Sequence, residues 1–256
     1  MGEIKIDGVT MGYEIETGRS KANEPLPYVA VTWAKDVRGY VEIPAEIEGL
    51  PVKRIGGLAF SAGCGELTGV TIPDSVVWIC ESAFAHNAML TCVRIPLSVK
   101  VIDECAFAGC GGLRWVDIPE GVVWIGFSAF IMCQRLVRVT IPSTLERIPR
   151  LAFSDCCSLS HVTISPGVKD IAEEAFSDCI RLENVTMPDS VESIGRGAFS
   201  GCRRLANVSL PRRLENKPIE SAFVSCSPKL SISYRDIGKA CVAGNGVSDS
   251  AGDIVF

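Results

Sequence analysis

The chain has 256 residues, 47% of them hydrophobic, with a formal net charge of −5 and an isoelectric point near 5.2. That balance disfavours nucleic acid as a partner, because a phosphate-binding face needs clustered Lys and Arg and the arginines here are scattered. No apolar run approaches the length of a membrane-spanning helix.

Residues 1–40 come first. Met1 to Thr10 alternates polar and apolar residues instead of placing an apolar stretch after a charged start, so no secretory leader is visible: either it was removed or the protein is made without one. Strand-like runs at Ile4–Ile6, Tyr13–Ile15 and Val29–Trp33 are broken by Gly18 and by Asn23-Glu24-Pro25, which predicts a small β cap over 1–40. From residue 41 the chain becomes periodic. An Ala-Phe pair returns at Phe60, Phe84, Phe107, Phe130, Phe153, Phe176, Phe199 and Phe223, at spacings of 24, 23, 23, 23, 23, 23 and 24 residues. Such a period marks a solenoid, in which a unit too small to bury its own apolar face stacks on copies of itself.

Each copy reads alike. A Leu follows the Phe by six residues, as at Leu113 and Leu136, and a V-x-I step such as Val116/Ile118 or Val139/Ile141 then predicts a short strand. Proline ends that strand at Pro73, Pro96, Pro119, Pro142, Pro188 and Pro211, because it cannot donate to the ladder; one copy shifts it to Pro166. A second apolar pair, for example Val122/Ile125, predicts a bend or a short second strand. The G-x-x-A-F segment is expected to be a short helical piece. With rungs about 4.8 Å apart, the copies over 41–234 predict a rod or arc roughly 40 Å long. Residues 235–256 lack the repeat, and Gly244, Gly246 and Gly252 suggest a loop or tail, or a C-terminal cap closed by Ile254–Phe256.

The string AFxxCxxLxxVxIPxxVxxIGxxAF, clearest in Ala106–Phe130 and Ala175–Phe199, resembles the BspA-type leucine-rich repeat, a bacterial surface-antigen class; Val41–Phe60 resembles that family's first repeat. The resemblance covers about Val41 to Tyr234. It implies an α/β solenoid, mostly strand and loop, coiled as a right-handed superhelix with one parallel β-sheet on its concave side. It also implies binding or adhesion without catalysis, at the cell surface or in secreted form.

The 12 cysteines divide in two. Cys64, Cys110, Cys133, Cys156, Cys179, Cys202 and Cys226 share one column, three or four residues after the repeat Phe, with Asn87 in the second copy. An Asn among cysteines suits a polar atom bonded to turn backbone and suits no disulfide. The others, Cys80, Cys92, Cys105, Cys157 and Cys241, share no register; only Cys80 and Cys105, in neighbouring copies, are placed for a cross-link to be weighed. No C-x2-C pairs or Cys/His cluster indicate zinc. Many unpaired thiols favour a reducing compartment, against the location the resemblance implies.

Candidate chemistry is sparse. His86 and His161 lie 75 residues apart in different columns, and no nucleophile elbow, phosphate loop or H-E-x-x-H is present. The expectation is no enzyme, no cofactor and no metal. Function then falls to exposed columns. On the first strand the residues before the inward Val include Trp115, Arg138 and His161 on successive rungs, and Trp and Arg are enriched where proteins bind proteins. The residue between Val and Ile is largely a Thr/Ser ladder, as strand propensity favours. Before the second-strand Ile stand Trp78, Val101 and Trp124, then Arg147, Asp170 and Ser193. The greasy half is either an interaction surface or is covered by the N-terminal cap. The expected role is recognition of a protein or a glycan; the alternative is a structural or self-assembling spacer.

Overall fold

The structure is a computed structural model that describes residues 1–17, 27–61 and 66–236 and the backbone strand Ile254–Val255. Strands β1 (Gly2–Ile6), β2 (Val9–Glu16) and β3 (Tyr28–Lys35) form an antiparallel meander, and β3 then pairs in parallel with Leu50–Ile55. From there the chain is a β-solenoid of about nine turns, built from parallel ladders. One ladder carries the V-x-I strands, from Arg38–Glu42 to Ser231–Arg235; the other carries the short second strands, from Leu50–Ile55 to Ser193–Ile194. Pairing holds the repeat in phase: Val116 faces Val139, which faces Val162, and Ile79 faces Ile102, which faces Ile125.

The interior follows from that register. Eight Phe rings form one spine with successive centroids 5.3–5.5 Å apart and planes within 15° of parallel. Near-parallel rings at this separation lie within the range of roughly 4.5–7 Å over which aromatic pairs attract. The Leu, Val and Ile columns pack around the spine in a single continuous core.

The G-x-x-A-F segment is not helical, and the α/β expectation is corrected accordingly. Among the described residues there is no α-helix; the only helical pieces are the 3₁₀ turns Arg212–Leu214 and Glu220–Phe223. The reason is backbone handedness. Two residues before the Phe, Leu58, Ser82, Cys105, Ser128, Leu151, Glu174 and Gly197 all have φ between 53° and 64°, and the residue two after it is left-handed as well in His86, Met132, Asp155 and Asp178. A positive φ cannot continue a right-handed helix. The segment instead makes a third row of bonds between coils. The Phe N–H donates to the Ala carbonyl of the next rung, as from Phe107 to Ala129 and from Phe130 to Ala152, at 2.8–2.9 Å.

The expected cap or tail over 235–256 lies outside the described residues, apart from Arg235, Asp236 and the strand Ile254–Val255. That strand pairs antiparallel with Ser231–Arg235.

Candidate interaction surface

The cysteine column faces inward. Each thiol donates to the carbonyl of the Phe one rung earlier: Cys110 to Phe84 at 3.2 Å, Cys133 to Phe107 at 3.4 Å, Cys156 to Phe130, Cys179 to Phe153, Cys202 to Phe176, and Cys226 to Phe199 at 3.1 Å. Asn87 does the same work with its amide, donating to Phe60 O at 2.6 Å and Phe84 O at 2.8 Å. The thiol fills the second lone pair of a carbonyl that already accepts a backbone N–H within its own coil, as Phe107 O does from Cys110 N–H at 3.2 Å, so each bond ties one rung to the next. Burial disfavours the thiolate, pushing Cys110 up to about 12 and Cys226 up to about 11, with Cys133, Cys156, Cys179 and Cys202 also raised. These thiols are structural donors, not nucleophiles. Cys105 and Cys157 are free thiols, so no bond joins Cys80 to Cys105. Cys64 and Cys241 lie outside the described residues.

The outward column of the first ladder brings Trp115, Arg138 and His161 side by side. Trp115 is 44% exposed, and Arg138 and His161 are exposed. The His161 ring nitrogen Nδ1 lies 2.8 Å from Ser160 Oγ. The row continues into Asn184 and Asn207, whose amides bond each other at 2.8 Å. At its other end Tyr40 leans over Gly69, where a Cβ would sit 2.6 Å from the Tyr40 ring. Tyr40 is thus a further exposed aromatic of this row, and its place follows from a glycine that leaves room for it.

The second ladder brings Trp78, Val101 and Trp124 into one row, but not equally into solvent. Trp78 is half-buried: its Nε1 donates to Asp103 Oδ2 at 3.3 Å, and the Arg54 guanidinium lies 5.4 Å over its ring. Arg54 is in turn held by Glu16 of β2 at 2.9 Å. The N-terminal strands therefore reach Trp78 through one arginine and stop there. Trp124 stands free of them at 57% exposure.

Beyond Trp124 this ladder breaks. The residue after the second-strand Ile normally donates to the Ile of the previous rung: Asp103 to Ile79, Gly126 to Ile102, Ala172 to Ile148 and Gly195 to Ile171, all at 2.7–2.9 Å. In the fifth copy that residue is Pro149, which has no N–H, and its ring takes a place held elsewhere by Gly or by Cys80, Asp103 and Ala172. A Cβ on Gly126 would lie 2.3 Å from Glu104 N. The paired contacts one step earlier are lost too. Val77 and Lys100 carbonyls accept from the next rung, whereas no bond joins Glu146 or Arg147 N–H to Val123 O. The strands Trp124–Ile125 and Arg147–Ile148 accordingly belong to separate sheets. The spine is intact across this seam, with Phe130 and Phe153 at 5.4 Å. The coils part on one side only, and a groove of about 670 Å³ opens there, lined by Val123, Trp124 and Phe127 on one bank and Glu146, Arg147 and Arg150 on the other.

The BspA-type leucine-rich repeat region model matches residues 45–156 and 146–244 in six copies. The chain belongs to this family. Among solved structures, a leucine-rich repeat protein of T. pallidum is 30% identical, covers 75% of this chain and 87% of its own, and has a TM-score of 0.65. A leucine-rich cell surface protein of Faecalibacterium prausnitzii is 28% identical over 81% of this chain, also with a TM-score of 0.65, and this chain spans only 54% of its length. A leucine-rich repeat protein of Bacteroides ovatus, 24% identical over 91% of this chain and 71% of its own with a TM-score of 0.52, shares the fold. No curated protein sequence matches the chain.

BspA-type membership makes the chain a repeat module of the interaction kind, and such repeats are typically non-catalytic. Among the described residues no group of His, Cys, Asp and Glu is placed to hold a metal ion, and no helix is long and apolar enough to cross a membrane. Against the regularity of the BspA-type repeat, two residues carry the surface's irregularity and escape a reading of the consensus. Pro149 is one. Phe127 is the other: it stands in a column otherwise made of Gly57, Glu81, Glu104, Arg150, Glu173, Arg196 and Glu220. A column-by-column search for the odd residue finds both.

Proposed function

We propose that this chain is a non-catalytic recognition module that binds a protein or a surface glycan through its two outward columns, Trp115-Arg138-His161 and Trp78-Val101-Trp124. The observation that carries the reading is the exposure of Trp115 and Trp124 on a single rung, 44% and 57% respectively. A tryptophan in solvent forgoes the burial its large apolar surface favours, and Trp and Arg dominate the energetics of protein contacts. In this reading residues 1–40 are a cap, 41–234 form the binding solenoid, and the coil is right-handed with the first ladder on its concave side.

A cross-linking mass-spectrometric partner search tests it, run with the native protein and with the Trp115→Ala/Trp124→Ala variant. The expected result is an unchanged melting temperature with the partners lost. Recovery of the same partners by both proteins overturns the reading. Light scattering that grows with concentration in the native protein alone would favour the self-assembling spacer instead.

A further inference from the structure

We infer that the seam opened by Pro149 is a docking groove for an extended peptide, which seats an apolar side chain on Trp124 and Phe127 and donates main-chain N–H groups to the carbonyls of Val123 and Ile125. This rests on the reading above that the Trp124 face binds a partner, and it narrows that reading to one place and one class of ligand.

The backbone supplies the first argument. In every intact step of the second ladder the equivalent carbonyls accept from the next rung, as Val77 O does from Lys100 N–H at 2.8 Å and Ile79 O from Asp103 N–H at 2.9 Å. At the seam both acceptors lose these donors. Ile125 is a core side chain, so the part of it that lines the groove is its backbone. Main-chain acceptors along a strand edge with no neighbouring strand are a template for pairing by another chain. Val123 and Ile125 are two residues apart, so their carbonyls share one edge of the strand, and N–H groups recur at that interval along an extended chain. That is the pattern by which a peptide adds itself to an exposed sheet edge.

The side chains supply the second. The charged bank is already engaged: Arg147 with Asp170 at 2.9 Å, Arg150 with Glu173 at 3.6 Å, and Glu146 with Lys169 at 2.9 Å. Besides the exposed Glu104 carboxylate at its edge, what the groove offers is an aromatic floor and two main-chain acceptors. An anion would need cations that are already engaged, and an oligosaccharide could stack on the aromatic floor but carries no row of N–H groups at the two-residue interval, whereas a peptide supplies both. A volume of about 670 Å³ holds a large anchoring side chain and its neighbours.

The test pans a displayed library of random nine-residue peptides on the full chain, counter-selecting on Trp124→Ala/Phe127→Ala. Enriched peptides with an aromatic or aliphatic anchor are expected. Phe127→Ala should weaken them tenfold or more, and so should N-methylation at alternate backbone positions, with intervening positions tolerant. Pro149→Ala restores an N–H opposite Ile125 O; it should raise the melting temperature and weaken the peptides at least tenfold. The inference is overturned by a library with no enrichment over the counter-selected variant, by peptides indifferent to N-methylation and to Pro149→Ala, or by displacement of the peptides by an oligosaccharide set. If Phe127→Ala and Pro149→Ala retain the native partners while Trp115→Ala/Trp124→Ala loses them, the seam falls and the recognition reading stands. If all three retain them, that reading falls.

Discussion

The rungs before Pro149 and the rungs after it share one interior and carry different surfaces. Inside, Phe107 meets Phe130 at 5.3 Å and Phe153 meets Phe176 at 5.4 Å, and the same thiol-to-carbonyl bond recurs on both sides. Outside, the second-ladder row is Trp78, Val101 and Trp124 on one side and Arg147, Asp170 and Ser193 on the other. The later row satisfies itself: Arg147 pairs with Asp170, and Ser193 bonds Asp170 in turn. An aromatic row has no such internal partner. The contrast shows that the core sets the spacing and leaves the skin free, and that a row without internal bonds is the one open to another molecule.

If the interior is common to both halves, both should fail together in alkali. The thiols at Cys110, Cys133, Cys156, Cys179 and Cys202 are neutral in the folded chain, and burial holds each above its usual value of 9.0. As pH rises past 9 the unfolded chain releases these protons first. Stability is therefore whole below that pH and is lost as pH climbs toward the folded-state values. At about 1 kcal/mol per thiol, the step from pH 9 to pH 10 removes about 5 kcal/mol. Urea midpoints at pH 8, 9 and 10 measure this, and Cys110→Asn/Cys179→Asn should spare about 2 kcal/mol of the loss. A flat profile would mean that the column is wet. The next effect is mechanical. Phe107→Ala and Phe153→Ala should each cost about 3–5 kcal/mol, and chemical denaturation should find the two equal within about 1 kcal/mol. Unequal costs would show that the halves differ inside as well.

The legible part of this fold is whatever recurs. Strand positions, register and the Phe spine can be read because inward residues must repeat where coils stack. The handedness of the A-F turn is not legible, because Leu58, Ser82 and Leu151 are unremarkable residues for a left-handed conformation. Their φ is imposed by bonds to the next rung, not by propensity. The exposure of Trp78 is equally hidden, since it depends on Arg54 and, through it, on Glu16, 38 residues earlier in sequence than that arginine. The seam escapes for another reason. A consensus averages the copies, and Pro149 is a single departure within them. The surface rows are visible as columns, yet which member stands in solvent is settled by neighbours outside the column.

The left-handed turn gives a smaller and opposite pair of effects in the two halves. Leu58 has φ 61° and is 64% exposed, so it pays strain without gaining burial; Gly197 holds the same position at φ 64°. Leu58→Gly should stabilise the chain by about 1 kcal/mol and Gly197→Ala should destabilise it by about as much. Thermal melts of the two single variants check this. Matching signs would show that the turn is held by something other than the backbone of this position.

The smallest effect lies in the charged row itself. Arg147 is largely exposed, and its bond to Asp170 is screened by water, so Arg147→Ala should cost only a few tenths of a kcal/mol and less in high salt. Trp124→Ala should be as mild for stability, since its ring rests on the surface and not in the core. The two substitutions are therefore alike to a calorimeter and unlike to a partner. Removing Arg147 leaves Asp170 with its Ser193 bond alone and alters one bank of the seam, whereas removing Trp124 deletes half of its floor. Binding of the displayed peptides should fall several-fold with the first and be abolished with the second. Equal losses would mean that the charged row takes part in recognition as fully as the aromatic one.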